Sequence, residues 1–129
     1  MQKVTKILLR DKYLFIAIVV TIAISIYSLI KPSETNGISF FKFSNADKIQ
    51  HLIAYFCLGM SWFFAIKNSS NKKHSKIKVV IACIMFGIII EGLQGTLTTY
   101  RTADFRDVIA NSVGVLLALL VFNIFLSKK

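Results

Sequence analysis

The chain has 129 residues, enough for a single domain, and its composition excludes most classes of soluble protein. Hydrophobic residues make up 55% and charged residues only 17%, whereas about 25% of the residues in a typical soluble domain are charged. Two cysteines, one proline and six glycines exclude a disulfide scaffold and a collagen-like or low-complexity chain. A formal charge of +10 is compatible with a nucleic-acid partner, so the positions of the charged residues matter.

Four apolar stretches of 18 or 19 residues follow one another: Tyr13–Ile30, Ile49–Ile66, Val79–Leu97 and Val108–Leu126. About 20 helical residues cross a hydrocarbon core of roughly 30 Å. Membrane strands alternate apolar and polar residues, whereas residues 81–90 are apolar on every side. The first stretch also exceeds the roughly 7–15 apolar residues of a signal peptide. The sequence therefore predicts an all-α integral membrane protein, one domain over residues 1–129 with four spanning helices in a bundle.

The basic residues are concentrated on one side of these predicted spans. Eleven of the sixteen lie in the N-terminal arm, in the loop between the second and third stretches, and at the C-terminus. The positive-inside rule places these segments in the cytoplasm, so both termini are expected inside a bacterial-type inner (cytoplasmic) membrane. Five of the six acidic residues fall on the other side. The basic excess is thus explained by topology, and no nucleic-acid partner is predicted.

Polar residues recur at helical spacing near the predicted outer ends of three of the helices. The three sets are Asp47, His51 and Tyr55, then Glu91 and Gln94, and then Asp104, Asp107 and Asn111. Ionisable groups at membrane depth face the protein interior and pair with one another. We therefore expect Arg101 to pair with Glu91 or Asp107, and His51 to pair with Asp47 or Asp104.

Several interpretations of this polar cluster remain open. It either joins helices and caps their ends, or forms a polar pocket in which His51, Glu91 and Asp107 are candidate catalytic groups. In a pocket, Arg101 could hold a phosphate or another anion. One histidine with several carboxylates could also hold a hard divalent cation, but neither HExxH nor CxxC occurs, so no metal and no cofactor is predicted. A proton or ion pathway is disfavoured because the inner halves of the helices are apolar apart from two residues.

Three pieces of the chain resemble the VanZ-like family of small membrane proteins. They are Asp47-Lys48-xx-His51-xxx-Tyr55-xx-Leu58-Gly59, Gly87-xxx-Glu91-xx-Gln94 and Arg101-xx-Asp104-xx-Asp107-xxx-Asn111-xx-Gly114. The resemblance covers residues 44–122. One departure is Asp104, where the family often has a small hydroxyl residue. With the cluster above, the resemblance implies a ligand-binding set of Asp47, Lys48, His51, Tyr55, Glu91, Gln94, Arg101, Asp104, Asp107 and Asn111.

The resemblance also implies a setting in the cell envelope and a link to glycopeptide (teicoplanin) resistance. A phosphotransbutyrylase label carried by some relatives gains no support, because the chain has no phosphate-cradling glycine loop or nucleophile motif. We expect an outer-face site that binds an envelope lipid, a lipid-linked precursor or a partner membrane protein. The alternatives are an intramembrane enzyme acting on a lipid-type substrate and a purely structural polar cluster in an accessory membrane subunit.

Overall fold

The structure, a computed structural model, describes residues 2–29, 46–67, 72–97 and 105–126. These residues form α1 (Gln2–Leu29), α2 (Ala46–Ala65), α3 (Lys72–Leu97) and α4 (Phe105–Val121), and a π-helical turn over Phe122–Leu126 follows α4. No strand occurs in the described ranges. The all-α prediction is therefore confirmed for this part of the chain.

Three of the helices in the described ranges are long and apolar enough to cross a membrane. These segments are Asp11–Leu29, His74–Leu97 and Phe105–Leu126. The helix α2 has 20 residues, but its first turns carry Asp47, Lys48, Gln50 and His51, which lower its hydropathy. A fourth spanning helix, a four-helix membrane bundle and cytoplasmic termini therefore stay predictions.

Two helices begin well before the apolar stretches that predicted them. The helix α1 starts at Gln2 instead of Tyr13, and α3 starts at Lys72 instead of Val79. The added residues are mainly lysine, arginine, leucine and similar residues that favour helices. Apolar stretches mark where a chain can enter the hydrocarbon, whereas the helix continues as long as its backbone hydrogen bonds do.

Unlike a typical soluble protein, the molecule exposes many large apolar side chains and also buries several polar ones. Large apolar side chains such as Phe15, Ile81 and Leu120 are exposed on the outside. Buried polar side chains include Glu91, Gln94, Asp107 and Asn111. A lipid-facing exterior and an interior that holds the ionisable groups are what a bilayer requires.

The close contact between α2 and α4 depends on small residues. A Cβ atom at Gly114 would clash with the backbone carbonyl oxygen of Leu52 and would lie 3.0 Å from the backbone nitrogen of Phe56. One turn further along, a Cβ at Gly59 would lie 3.0 Å from the Cβ of Ala118. The backbones of the two helices therefore touch, and the first turns of α4 lie alongside the first turns of α2.

Candidate functional site

The polar face of α2 contacts the polar face of α4. Lys48 and His51 lie one turn apart on α2, and Asp107 and Asn111 lie one turn apart on α4. The Lys48 ammonium forms an ion pair with Oδ1 of Asp107. The imidazole of His51 lies between the two α4 side chains, with Nδ1 3.1 Å from Oδ1 of Asn111 and Nε2 3.6 Å from Oδ2 of Asp107.

Glu91 joins this cluster from α3. One oxygen or ring nitrogen atom from each of His51, Glu91 and Asp107 lies within 4.8 Å of the others. Glu91 is 4% exposed and Asp107 is 6% exposed. Three helices thus bring a histidine and two carboxylates together in the protein interior, as the helical spacing predicted. We call His51, Glu91 and Asp107, with Lys48, Tyr55 and Asn111, the outer cluster.

Gly87 allows α3 to approach this cluster closely. A Cβ at Gly87 would lie 3.2 Å from Nδ2 of Asn111 and 3.3 Å from Cε1 of Tyr55. Because Gly87 precedes Glu91 by one turn, the same contact brings the Glu91 carboxylate toward α2 and α4. A Cβ at Gly87 would require the side chains of Tyr55 and Asn111 to shift by a few tenths of an ångström.

The outer cluster brings two carboxylates and a lysine together. Two buried carboxylates a few ångströms apart repel each other, and burial adds a desolvation cost for each. Lys48 reaches Asp107 from the rim, since its side chain is 30% exposed. Its positive charge stabilises the Asp107 carboxylate, and a proton or a cation on His51 would stabilise both carboxylates further.

The hydroxyl of Tyr55 and Nδ2 of Asn111 have no hydrogen-bond partner within the described part of the chain, and both side chains are about 1% exposed. A buried donor without an acceptor costs about 1–3 kcal/mol, so native structures usually satisfy it with protein, water or ligand.

A groove between α1 and α2 reaches the outer cluster from the side. Its volume is about 290 Å³, and its lining combines the apolar side chains of Val20, Ile24 and Ala54 with His51 and Tyr55. Polar groups lie at its outer end, where the Tyr27 hydroxyl donates to Oε1 of Gln50 at 3.2 Å. His51 and Tyr55 therefore belong both to the outer cluster and to the wall of an apolar groove.

Not every residue of the predicted site lies within the described part of the chain. Arg101 and Asp104 lie outside the described residues, as does the side chain of Asp47, so their predicted pairings stay predictions. Among the described residues, the Asp107 carboxylate lies next to His51, a contact that was not predicted from the sequence. Helical spacing shows which residues share a face, but it does not give the rotation of one helix against another, which the Gly114 contact determines.

Gln94 is directed toward α1. Its side-chain amide donates to the backbone oxygen of Ser28 at 2.8 Å. Tyr27 and Ser28 form the α1 side of the site and were not among the residues predicted from the sequence. The available signal was two polar residues at the end of an otherwise apolar stretch, at the level predicted for the outer ends of the other helices.

Comparison with known proteins places the chain in a family. A family model described as VanZ/LLP1 matches residues 7–126. The chain belongs to the VanZ/LLP1 family. The match includes nearly all of α1 to α4 and every residue of the outer cluster, so the resemblance seen in the three sequence pieces is confirmed.

A curated relative of this VanZ/LLP1 protein is an uncharacterized protein of Schizosaccharomyces pombe. It is 32% identical over 83 residues, which are 64% of this chain and 49% of the relative. The chain thus spans about half the length of the curated relative it matches. Because this relative comes from a yeast, family membership alone does not fix a bacterial inner membrane. No solved structure matches the chain significantly.

Proposed function

We propose that this VanZ/LLP1 protein binds an envelope lipid or lipid-linked precursor, with the polar headgroup at the outer cluster and the chain in the groove between α1 and α2. The protein would cross a bacterial-type inner membrane with four helices and keep both termini in the cytoplasm. The observation that carries the proposal is that His51 and Tyr55 line both the cluster and the groove. A lipid likewise combines a polar headgroup with an apolar chain.

The groove provides the apolar half of this site. Its volume of about 290 Å³ is near the lower end of the roughly 300–1,000 Å³ typical of ligand pockets. Val20, Ile24 and Ala54 give it hydrocarbon walls. Because the outward faces of the neighbouring helices are apolar, an acyl chain could enter the groove from the bilayer without crossing a polar barrier.

The outer cluster provides the polar half. The Lys48 ammonium at the rim attracts an anionic group, and charge-assisted hydrogen bonds to phosphate are among the strongest in proteins. The hydroxyl of Tyr55 and Nδ2 of Asn111 are buried donors that a headgroup oxygen would satisfy. Arg101, which the sequence includes in the binding set, would add a second cation.

The test is lipid retention by protein purified in mild detergent and analysed by mass spectrometry. Ala23→Trp would fill the groove, because Ala23 lines it. Ala82→Trp is the matched control, because Ala82 is equally exposed but lines a second cavity between α1, α2 and α3. We expect retained lipid to fall in Ala23→Trp and to persist in Ala82→Trp. Equal retention in both variants would contradict the proposal.

A second candidate function is intramembrane catalysis on a lipid-type substrate by His51, Glu91 and Asp107. The observation that favours it is that both ring nitrogens of His51 face polar side chains, which fixes the plane of a potential acid–base group. If the protein is an enzyme, lipids incubated with the wild type will change in mass, and Glu91→Gln will abolish the change. If lipids are retained but not altered, the protein is a binder.

The proposed link to glycopeptide susceptibility rests on the family resemblance. It predicts that producing the protein changes the teicoplanin susceptibility of a bacterial host, and that Ala23→Trp removes the change. A purely structural cluster predicts instead that susceptibility follows only the amount of folded protein. Measuring both quantities in the same cells separates the two.

A further inference from the structure

The hydrogen bond between His51 and Asn111 determines which ring nitrogen carries the proton. Oδ1 of Asn111 is a carbonyl oxygen and can only accept, so Nδ1 of His51 donates to it across 3.1 Å. In a neutral imidazole, Nε2 then has no proton and presents its lone pair. That lone pair is directed toward Oδ2 of Asp107.

In the neutral imidazole, Nε2 of His51 and Oδ2 of Asp107 are two neighbouring acceptors. Their separation of 3.6 Å is longer than the roughly 2.7–3.2 Å of a hydrogen bond. Two ligands bound tetrahedrally at about 2.1 Å to one zinc ion would lie about 3.4 Å apart. The observed separation is thus closer to that of two ligands of one cation than to that of a hydrogen-bonded pair.

Glu91 supplies a third donor atom within the same 4.8 Å. We propose that His51, Glu91 and Asp107 hold a divalent transition-metal cation through Nε2 and one oxygen of each carboxylate. One imidazole with two carboxylates suits zinc or manganese better than calcium, which takes oxygen ligands alone. Three protein ligands leave a fourth position open, as in the sites where zinc acts on water or substrate.

The surroundings of these three residues match the outer shell of metal sites in proteins. A metal-binding histidine almost always donates its second ring N–H to an oxygen, as His51 does to Asn111. Binding carboxylates also have further partners, as Asp107 has Lys48 on its other oxygen. The outer cluster also contains a buried donor, the hydroxyl of Tyr55, that has no hydrogen-bond partner among the described residues.

The cation would also add positive charge beside the two buried carboxylates, which lowers the cost of keeping both ionised in the protein interior. Lys48 does not have to leave, because it contacts Oδ1 of Asp107 and the cation would take Oδ2.

The experiment is a titration of the chelator-treated full-length protein in detergent, first with Zn²⁺ and then with Mn²⁺. We expect one equivalent to bind to the wild type and to raise the melting temperature, because a ligand that binds only the folded state stabilises it. Glu91→Gln keeps the side-chain shape and should weaken binding at least about tenfold, since even outer-shell changes cost 10–100-fold. His51→Ala should do the same.

His74→Ala is the control, because His74 is exposed at the start of α3, away from the outer cluster. An equal loss of binding in His74→Ala would show adventitious surface binding and would overturn the proposal. The absence of stoichiometric uptake by the folded wild type would do so as well, and would mean that a proton joins His51 to Asp107. The titration contains no added lipid, so its result is independent of lipid binding. A protein that takes up the metal but retains no lipid during purification would contradict the lipid-binding function alone.

Discussion

The Lys48 ammonium in α2 forms an ion pair with the Asp107 carboxylate in α4, across 59 positions of the sequence. This contact joins the rim of the outer cluster to its interior, because Lys48 is 30% exposed and Asp107 is 9% exposed at its side chain. The pair is thus neither a surface salt bridge nor a fully buried one. It holds the carboxylate that also faces His51.

Removing the lysine should destabilise the protein moderately. We expect Lys48→Gln to lower the free energy of unfolding by about 1–2 kcal/mol, between the values for exposed and buried pairs. Lys76→Gln is the control, since Lys76 is also on a helix and donates to Asn123 at an exposed position. Thermal unfolding in detergent measures both. Equal melting temperatures for the two variants would contradict a stabilising role of Lys48.

The glycine contact between α2 and α4 makes a second prediction. Gly114→Ala should destabilise the protein by about 1–3 kcal/mol, because its Cβ would clash with the Leu52 carbonyl oxygen and force the helices apart. Gly92→Ala is the control, because a Cβ at Gly92 meets nothing within 4 Å. Alanine in a helix is favoured over glycine by about 0.5–1 kcal/mol, so this variant should unfold at a higher temperature. Opposite shifts of the two melting temperatures are expected.

The orientation in the membrane is a third prediction. Reporter fusions at Lys72 and at Thr35 should give opposite signals, with Lys72 cytoplasmic, because eleven of the sixteen basic residues fall on the Lys72 side. Substituting the lysines of the segment 67–78 should weaken this preference. A cytoplasmic Thr35 in the unmodified protein would contradict the orientation and the outer placement of the cluster.

The sequence predicts the helices and the membership of the outer cluster but not its internal contacts. Long apolar stretches report which segments can enter a membrane, and spacings of three or four report which side chains share a face. The partner of His51 depends on how far α4 is rotated against α2. The steric contact of Gly114 with Leu52 decides that rotation. These residues are 62 positions apart, and their residue types do not predict that they touch. Asp107 therefore faces His51, although nothing in its spacing distinguishes it from Asp104.

The contacts of α1 with the site could not be predicted from the sequence for a different reason. Tyr27 and Ser28 provide a hydroxyl and a backbone oxygen to Gln50 and Gln94. A backbone oxygen is present at every position, so no residue type predicts which one will accept a hydrogen bond. The groove between α1 and α2 likewise depends on where small and large side chains meet across two helices.

A final prediction separates a binding site from a structural cluster by comparing two tyrosines. The Tyr55 hydroxyl is buried without a hydrogen-bond partner among the described residues, so Tyr55→Phe should leave the melting temperature unchanged or raise it, as is common for residues kept for function. The Tyr27 hydroxyl donates to Gln50, so Tyr27→Phe should cost about 0.5–1.5 kcal/mol.

If the outer cluster is a binding site, Tyr55→Phe should lose more retained lipid than Tyr27→Phe, although Tyr27→Phe loses more stability. Tyr55→Phe removes a donor that has no acceptor among the described residues, so retained lipid should fall in a protein that is as stable as the wild type. Tyr27→Phe should retain lipid in proportion to its folded fraction, because its hydroxyl is already paired with the protein. If Tyr55→Phe is destabilised and its lipid content per folded molecule is unchanged, the hydroxyl contributes to folding and the outer cluster joins helices instead of binding a ligand.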